Sequence, residues 1–466
     1  MMKRFFVLLI FVASIANAQF SVKGTMTPPE KSDWVVLYRI DGAKQKFIGN
    51  STIKLEDVDL GGSVQKVGRF ELTLPADAKV GAYRVSYRNT GAGFVDFFFN
   101  KENIEFVFNP QFPEESVLFT KSRENKVYRE YLDALALTQR AIDSLQVEYL
   151  KSDEKKTKKA YKKAYKEQEE LQEIYEGKSE GMLVNTFIKA SEATNSDDIF
   201  DDTQEYLDYV LDNFFKNVDF SDKTLYNSPF IVDKVTNYVF YLNIAESQSL
   251  QQKLYKESIE KIMEIIKDDS IKKEILEYLI TRFTIQRNSE IVDGLFDQYY
   301  AKLPADLQNS KFKSEKLGEL LASVGRTAPD FSWKEGDKDY TLSTLNDGEN
   351  YLLIFWSTQC GHCVNEIPSV HEFMKEYKET SVVAFAIEEE ESLEFDSWNK
   401  NKLYNWHNVK GTHPEFRFKN ETVLKYRIDA TPTYFILDKD KKIIAVPNAV
   451  EDIKEFLNKE KTASKE

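Results

Sequence analysis

The chain of 466 residues carries only two cysteines, Cys360 and Cys363, spaced C-x-x-C. An exported chain built on structural disulfides would carry more. This spacing therefore reads as a redox reagent rather than a framework. The run Tyr351 to Trp356 is continuously apolar, as a buried central strand should be, and a helix is expected from Cys363 onward. Placed at a strand-to-helix junction, the first sulfur is exposed and the second sheltered. Helix N-terminal amides and the helix dipole stabilise a thiolate there, and the thiolate is the reactive form. Cys360 is thus expected to be the attacking nucleophile and Cys363 the resolving thiol that releases the mixed disulfide.

Around this pair the sequence alternates strand and helix. Ser381 to Ile387 is a second buried strand, and Tyr434 to Leu437 with Ile443 to Val446 form a closing hairpin. A further helix is expected over Glu421 to Tyr426. Residues from about 20 to 110 hold nine of the 18 glycines and read as antiparallel β. The strand candidates are Trp34–Tyr38, Phe70–Leu74, Tyr83–Tyr87, Phe94–Phe99 and Ile104–Phe108. Between Glu114 and Leu303 the one proline is Pro229, so this stretch reads as helical. Leu207, Val210, Leu211, Phe214 and Phe215 form one apolar stripe. Ile271, Ile275, Tyr278, Leu279 and Phe283 form another, with Ser270 as N-cap. Lys151 to Glu180 holds nine lysines and eight acids and reads as a solvated helix, with a docking or self-association face as the alternative.

The expected architecture is multidomain: an N-terminal all-β sandwich over 19–112, a central all-α region over 113–321 and a C-terminal α/β module over 322–466. Residues 1–18 read as a secretory signal. Lys3 and Arg4 precede the uncharged Phe5 to Ala16, and Ala16-Asn17-Ala18 fits a cleavage site, so a mature chain begins at Gln19. The apolar run is too short to span a membrane, and the mature protein is expected to be soluble and periplasmic. Removing the signal takes the formal charge from −14 to −16. That balance argues against nucleic acid or anionic lipid surfaces as partners. The oligomeric state is left open.

Four motifs in order resemble the TlpA/ResA-like oxidoreductases of the thioredoxin superfamily. They are Val324-Gly325-Arg326-Thr327-Ala328-Pro329-Asp330-Phe331, Phe355-Trp356-Ser357-Thr358-Gln359-Cys360-Gly361-His362-Cys363, Pro368, and Thr431-Pro432-Thr433. The resemblance covers residues from about 322 to 460 and implies a thioredoxin fold, with Pro368 kinking the first helix and Pro432 in cis facing the cysteines. It implies disulfide exchange with cysteine-containing envelope proteins and a membrane-linked thiol donor or acceptor. The backbone of Thr431 then meets an extended substrate segment as an added strand, with Trp356 as the floor of the site. The acid three residues after Cys363, Glu366, takes the place where this branch tunes its cysteines, as a general base for Cys363. Typical thioredoxins carry a buried Asp in the preceding strand, where this chain has Ile354. The Gly361-His362 dipeptide is that of disulfide isomerases, in which the histidine favours the thiolate. The β region loosely resembles an N-terminal domain of unknown function found ahead of such modules in Bacteroidota-type exported proteins.

Three rival readings are weighed. A zinc site needs four ligands, and His362, His371, His407 and His413 make no finger spacing with the two cysteines. No metal and no cofactor are expected. A peroxiredoxin-like peroxidase would place Ser or Thr and a proline ahead of its cysteine; Ser357 fits and Leu353 does not. A client-binding scaffold with an accessory redox module is the third reading.

Overall fold

The computed structural model describes residues 20–463 apart from 60–62, 89, 90, 92, 153 and 403. The expected signal over 1–18 lies outside the described residues. Contacts within the chain form two compact units that divide between Ile275 and Leu276. The expected boundary at 321/322 follows a change in secondary structure, whereas packing places the helices after Leu276 with the C-terminal module.

The first unit begins with strands β1 (Phe20–Met26), β2 (Trp34–Asp41), β3 (Lys44–Thr52), β4 (Lys54–Asp59), β5 (Val64–Leu74), β6 (Gly81–Ser86), β7 (Phe94–Phe99), β8 (Ile104–Phe108) and β9 (Leu118–Lys121). They form a five-stranded sheet, β4-β5-β1-β8-β9, and a four-stranded sheet, β3-β2-β6-β7. Alternation puts Val22, Phe70, Leu72 and Phe106 of one sheet into one core with Leu37, Val85 and Phe97 of the other. The region is not purely antiparallel: β1 pairs with β8 in parallel, Val22 opposite Ile104. A β-rich beginning followed by a helical stretch matches the coarse expectation.

In the helical stretch, Lys151 to Glu180 is not one solvated helix. One helix, Arg123–Ser152, ends and another, Lys155–Lys178, begins. Tyr161 and Ala164 of the second share a buried cluster with Ile142 and Tyr149 of the first. The Leu207 stripe also differs: helix Thr203–Asn213 buries none of its residues, and the buried Phe215 lies beyond its end. In helix Asp269–Ile285, Ile271, Ile275, Leu279 and Phe283 are buried as expected. Its cap, however, is Asp268, whose Oδ1 accepts from the N–H groups of Ser270 (2.8 Å) and Ile271 (3.0 Å). A carboxylate offers the free amides a stronger acceptor than the serine two residues later.

The second unit holds a two-stranded hairpin, β10 (Ser332–Glu335) and β11 (Lys338–Thr341). Its main sheet consists of β12 (Asn350–Trp356), β13 (Thr380–Glu388), β14 (His407–Thr412), β15 (Thr433–Asp438) and β16 (Ile443–Ala445) in the order β14-β13-β12-β15-β16. β12 runs parallel to β13 and antiparallel to β15. The central strand β12 is buried on both faces, which explains its unbroken apolar run. Leu353 and Phe355 enter one core with Val423 and Tyr426 of helix Glu421–Tyr426. Leu352, Ile354 and Trp356 enter the opposite core with Ile367 and Val370 of helix Gly361–Met374 and with Ile453 of helix Val450–Ala463. Ahead of the hairpin the chain joins the edge of this sheet, with the N–H of Gly325 on the Ile443 carbonyl at 2.8 Å.

Candidate redox site

The site lies at the carboxyl end of β12, where the chain turns into helix Gly361–Met374. The helix starts two residues earlier than expected, because Cys360 itself is the N-cap. Its Sγ accepts from the N–H of Cys363 at 3.2 Å and lies 3.4 Å from the carbonyl oxygen of Thr431. The two sulfurs are bonded to each other, with the α-carbons 5.3 Å apart. Cys363 has no exposed surface, whereas Cys360 is half-buried. The Thr431–Pro432 peptide is cis, which puts the Thr431 carbonyl beside the outer sulfur. Pro368 sits inside the helix, where it can donate no main-chain hydrogen bond. The arrangement therefore offers an amide-stabilised outer sulfur, a covered inner sulfur and a main-chain carbonyl for an incoming backbone.

Glu366 is largely buried, and both of its oxygens are engaged. The Tyr434 hydroxyl donates to Oε1 at 2.8 Å, and His362 Nε2 lies 2.8 Å from Oε2. Tyr434 has no exposed surface. Burial first, and then its bond to the Glu366 carboxylate, push its phenol far above the ordinary tyrosine range. The hydroxyl thus stays a donor. Register explains its place, since Tyr434 is paired with Ile354 on β12. A tyrosine therefore reaches the carboxylate from the strand beside the position where a buried Asp is missing. His362 is well exposed and lies against Glu366. Trp356 is wholly buried, with its ring 4.4 Å from that of Trp398. It is packed beneath the site and, unlike the expected floor, presents no surface to a substrate.

Two groups at the site had no signal in the motifs. Glu388 ends β13 without exposed surface. Its Oε1 accepts from the N–H of Thr358 at 2.6 Å, and the Thr358 hydroxyl lies 2.9 Å from both carboxylate oxygens. Ser392 Oγ adds a longer contact at 3.4 Å. Arg417 donates through Nη1 to Ser357 Oγ at 3.1 Å and to Gln359 Oε1 at 2.5 Å. Together these residues tie down the three positions before Cys360 from two sides. An acid directly after the apolar run Ser381–Ile387 was the one available hint for Glu388. Nothing in the sequence linked Arg417 to the loop. Among the described residues no group of three or more His, Cys, Asp or Glu side chains could hold a metal ion.

A dithiol–disulfide couple at the start of a helix, faced by a cis-proline and carried on a five-stranded sheet of this order, defines a thioredoxin-fold oxidoreductase site. Relatives in sequence agree. The pattern of the AhpC/TSA family matches residues 324–446. The thiol-disulfide oxidoreductase ResA of Geobacillus thermodenitrificans is 31% identical over 152 residues, 32% of this chain and 82% of the relative. ResA of Bacillus anthracis is 31% identical over 123 residues, 26% of this chain and 67% of the relative. A solved domain of a possible thiol-disulfide isomerase from Cytophaga hutchinsonii is 29% identical, covering 30% of this chain and 95% of that domain at a TM-score of 0.26. The chain belongs to the TlpA/ResA-like branch of the thioredoxin superfamily and is an oxidoreductase.

Proposed function

We propose that the chain exchanges disulfides with cysteine-containing proteins of the bacterial envelope through Cys360-Gly361-His362-Cys363. The observation that supports this most strongly is Cys360 Sγ on the Cys363 N–H at the start of the helix. There a thiolate is favoured and the sulfur keeps access to solvent. As a reductant, the Cys360 thiolate attacks one sulfur of a client disulfide. That bond breaks, the departing client sulfur takes a proton, and a mixed disulfide forms on Cys360. Glu366 draws the proton from Cys363, with Tyr434 and His362 holding the carboxylate. The Cys363 thiolate then attacks Cys360 Sγ and releases the second client thiol. The products are a client dithiol and the Cys360–Cys363 disulfide; the reverse sequence oxidises a client. The client backbone meets Thr431 as an added strand. Export through the signal over 1–18 places this chemistry in the periplasm, where a membrane-linked thiol partner resets the couple. Among the described residues no helix is long and apolar enough to cross a membrane.

The test is to express Cys363→Ala in cells and recover mixed disulfides. Client envelope proteins held through Cys360 support the reading, and their absence beside a working wild-type control contradicts it. Consumption of hydroperoxide that needs Cys360 and proceeds undiminished without Cys363 would favour the peroxidase reading.

A further inference from the structure

The first unit lacks histidine and cysteine, yet it contains a cavity of about 660 Å³. Sites for small ligands typically span ~300–1,000 Å³. The cavity lies between the outer face of β6 and β7 and four helical segments, Pro113–Ser116, Arg123–Ser152, Val184–Ala190 and Phe230–Asn237. Aromatic rings dominate its wall: Phe94 and Phe98 from the sheet, then Tyr128, Phe187 and Phe230 from the helices. Phe112 and Tyr241 also line it, and both stay well exposed. Folding leaves this apolar surface around an open space although filled cores are the stable outcome. That cost is tolerated where a ligand completes the packing.

The same cavity is lined by four acids, Asp96, Glu114, Glu115 and Asp233, and by two arginines, Arg84 and Arg129. Both arginines are committed. Arg84 holds Asp96 through two hydrogen bonds of 2.6 and 2.7 Å, directly across the β6–β7 ladder. Its guanidinium carbon also sits 3.6 Å from the centre of the Phe94 ring. Arg129 pairs with Asp133 at 2.8 Å and bonds the carbonyls of Glu114 and Glu115. On its own helix Asp233 has Lys234, whose ammonium lies over the rings of Phe214 and Phe230 at 4.9 and 5.8 Å. Among the described residues no cation is bonded to Asp233. Crowding by protein, then the neighbouring Asp96 charge, lift its carboxyl from 3.8 to about 6, against the opposing pull of Arg84. The Asp233 side chain is exposed, so a ligand can reach it.

We propose that this cavity binds a small organic cation, an ammonium on an apolar or aromatic body, with Asp233 as its counter-ion. The rings supply both the apolar contact and the faces that attract a cation. Arg84 over Phe94 shows this geometry within the cavity wall itself. An anion is disfavoured by the excess of acids, and a neutral ligand would leave Asp233 with only the pull of Arg84, which is already held by Asp96.

The test uses the full chain with its disulfide intact and calorimetric titration. The probe is 2-phenylethylammonium, and its neutral counterpart is 2-phenylethanol. The expected result is saturable binding of the ammonium at a single site, with the alcohol weaker by about tenfold or more. Affinity should fall by about tenfold between about pH 7.5 and about pH 5, as Asp233 takes up its proton. Asp233→Asn should reproduce that loss at the higher pH. The pH series on the unaltered chain decides the matter if the variant fails to fold. The proposal is overturned by an absence of saturable ammonium binding, by equal affinity for the alcohol, or by affinity that ignores pH below about 7.

Discussion

At the residue scale the site is a short network: two sulfurs, the main-chain N–H of Cys363, and Glu366 held between Tyr434 and His362. The cysteines, Pro368, Pro432 and Glu366 were legible in the sequence because each lies in a local motif. Tyr434 was not, because its role depends on pairing with Ile354 across β12 and β15. In sequence it is one more aromatic in a buried strand. Removing one member of the Glu366–Tyr434 pair leaves the other without its partner. Tyr434→Phe is therefore expected to lower stability by about 1–3 kcal/mol, measured by denaturant unfolding of the oxidised chain. A loss below the error of the measurement would mean that the hydroxyl is dispensable to Glu366. Glu366→Gln keeps the shape and removes the carboxylate proposed as the base. Client disulfide reduction should slow by roughly 10²-fold or more, while alkylation of Cys360 stays near the wild-type rate. If alkylation of Cys360 slows equally, Glu366 acts on the outer sulfur instead.

At the element scale the junction between β12 and helix Gly361–Met374 positions the chemistry, and Glu388 at the end of β13 secures it. Strand runs were readable because burial on both faces of a parallel strand demands unbroken apolar sequence. Pairing partners were not readable. Alternation in Phe20–Met26 and Ile104–Phe108 reports which side faces the core, and says nothing of the parallel register that joins them. Helix faces misled where a stripe of apolar residues, Leu207 to Phe215, straddled the end of a helix at Asn213. The Glu388 clamp has a measurable consequence. Glu388→Ala strips Thr358 of the acceptor for its N–H and hydroxyl, and stability should fall by about 1–3 kcal/mol. Amide exchange should accelerate over residues 357–360 and remain unchanged over β14. Uniform acceleration over the whole unit would instead indicate general loosening. Likewise Asp268→Ala removes the cap of helix Asp269–Ile285 and should cost about 1 kcal/mol, read from the denaturation midpoint.

At the scale of the whole molecule, the two compact units divide the chemistry between them. Both cysteines and all four histidines lie after Leu276. The unit before it carries the sandwich, the helical hairpin and the aromatic cavity. The β-rich and helical regions follow from glycine and proline usage, and the α/β region from its alternation of strand and helix patterns. The division at 275/276 does not, because it depends on which helices pack with which sheet. Asp233 gives the first unit its own pH signature. Its folded value of about 6 lies above the ordinary 3.8. The folded chain therefore binds this proton more readily than the unfolded chain. Its favourable contribution is complete below the ordinary value and is lost as pH rises through about 6. Asp233→Asn should raise the melting temperature at about pH 7.5, and the gain should vanish near about pH 4. An equal gain at both values would rule out the carboxylate charge as its source.

The central claim is that Cys360 is the attacking thiolate, prepared by its place at the start of the helix. The ionisation of the reduced Cys363→Ala chain, followed by thiolate absorbance against pH, tests it most directly. The account predicts a midpoint well below the ~8.5 of a free thiol. A midpoint at or above that value would contradict it.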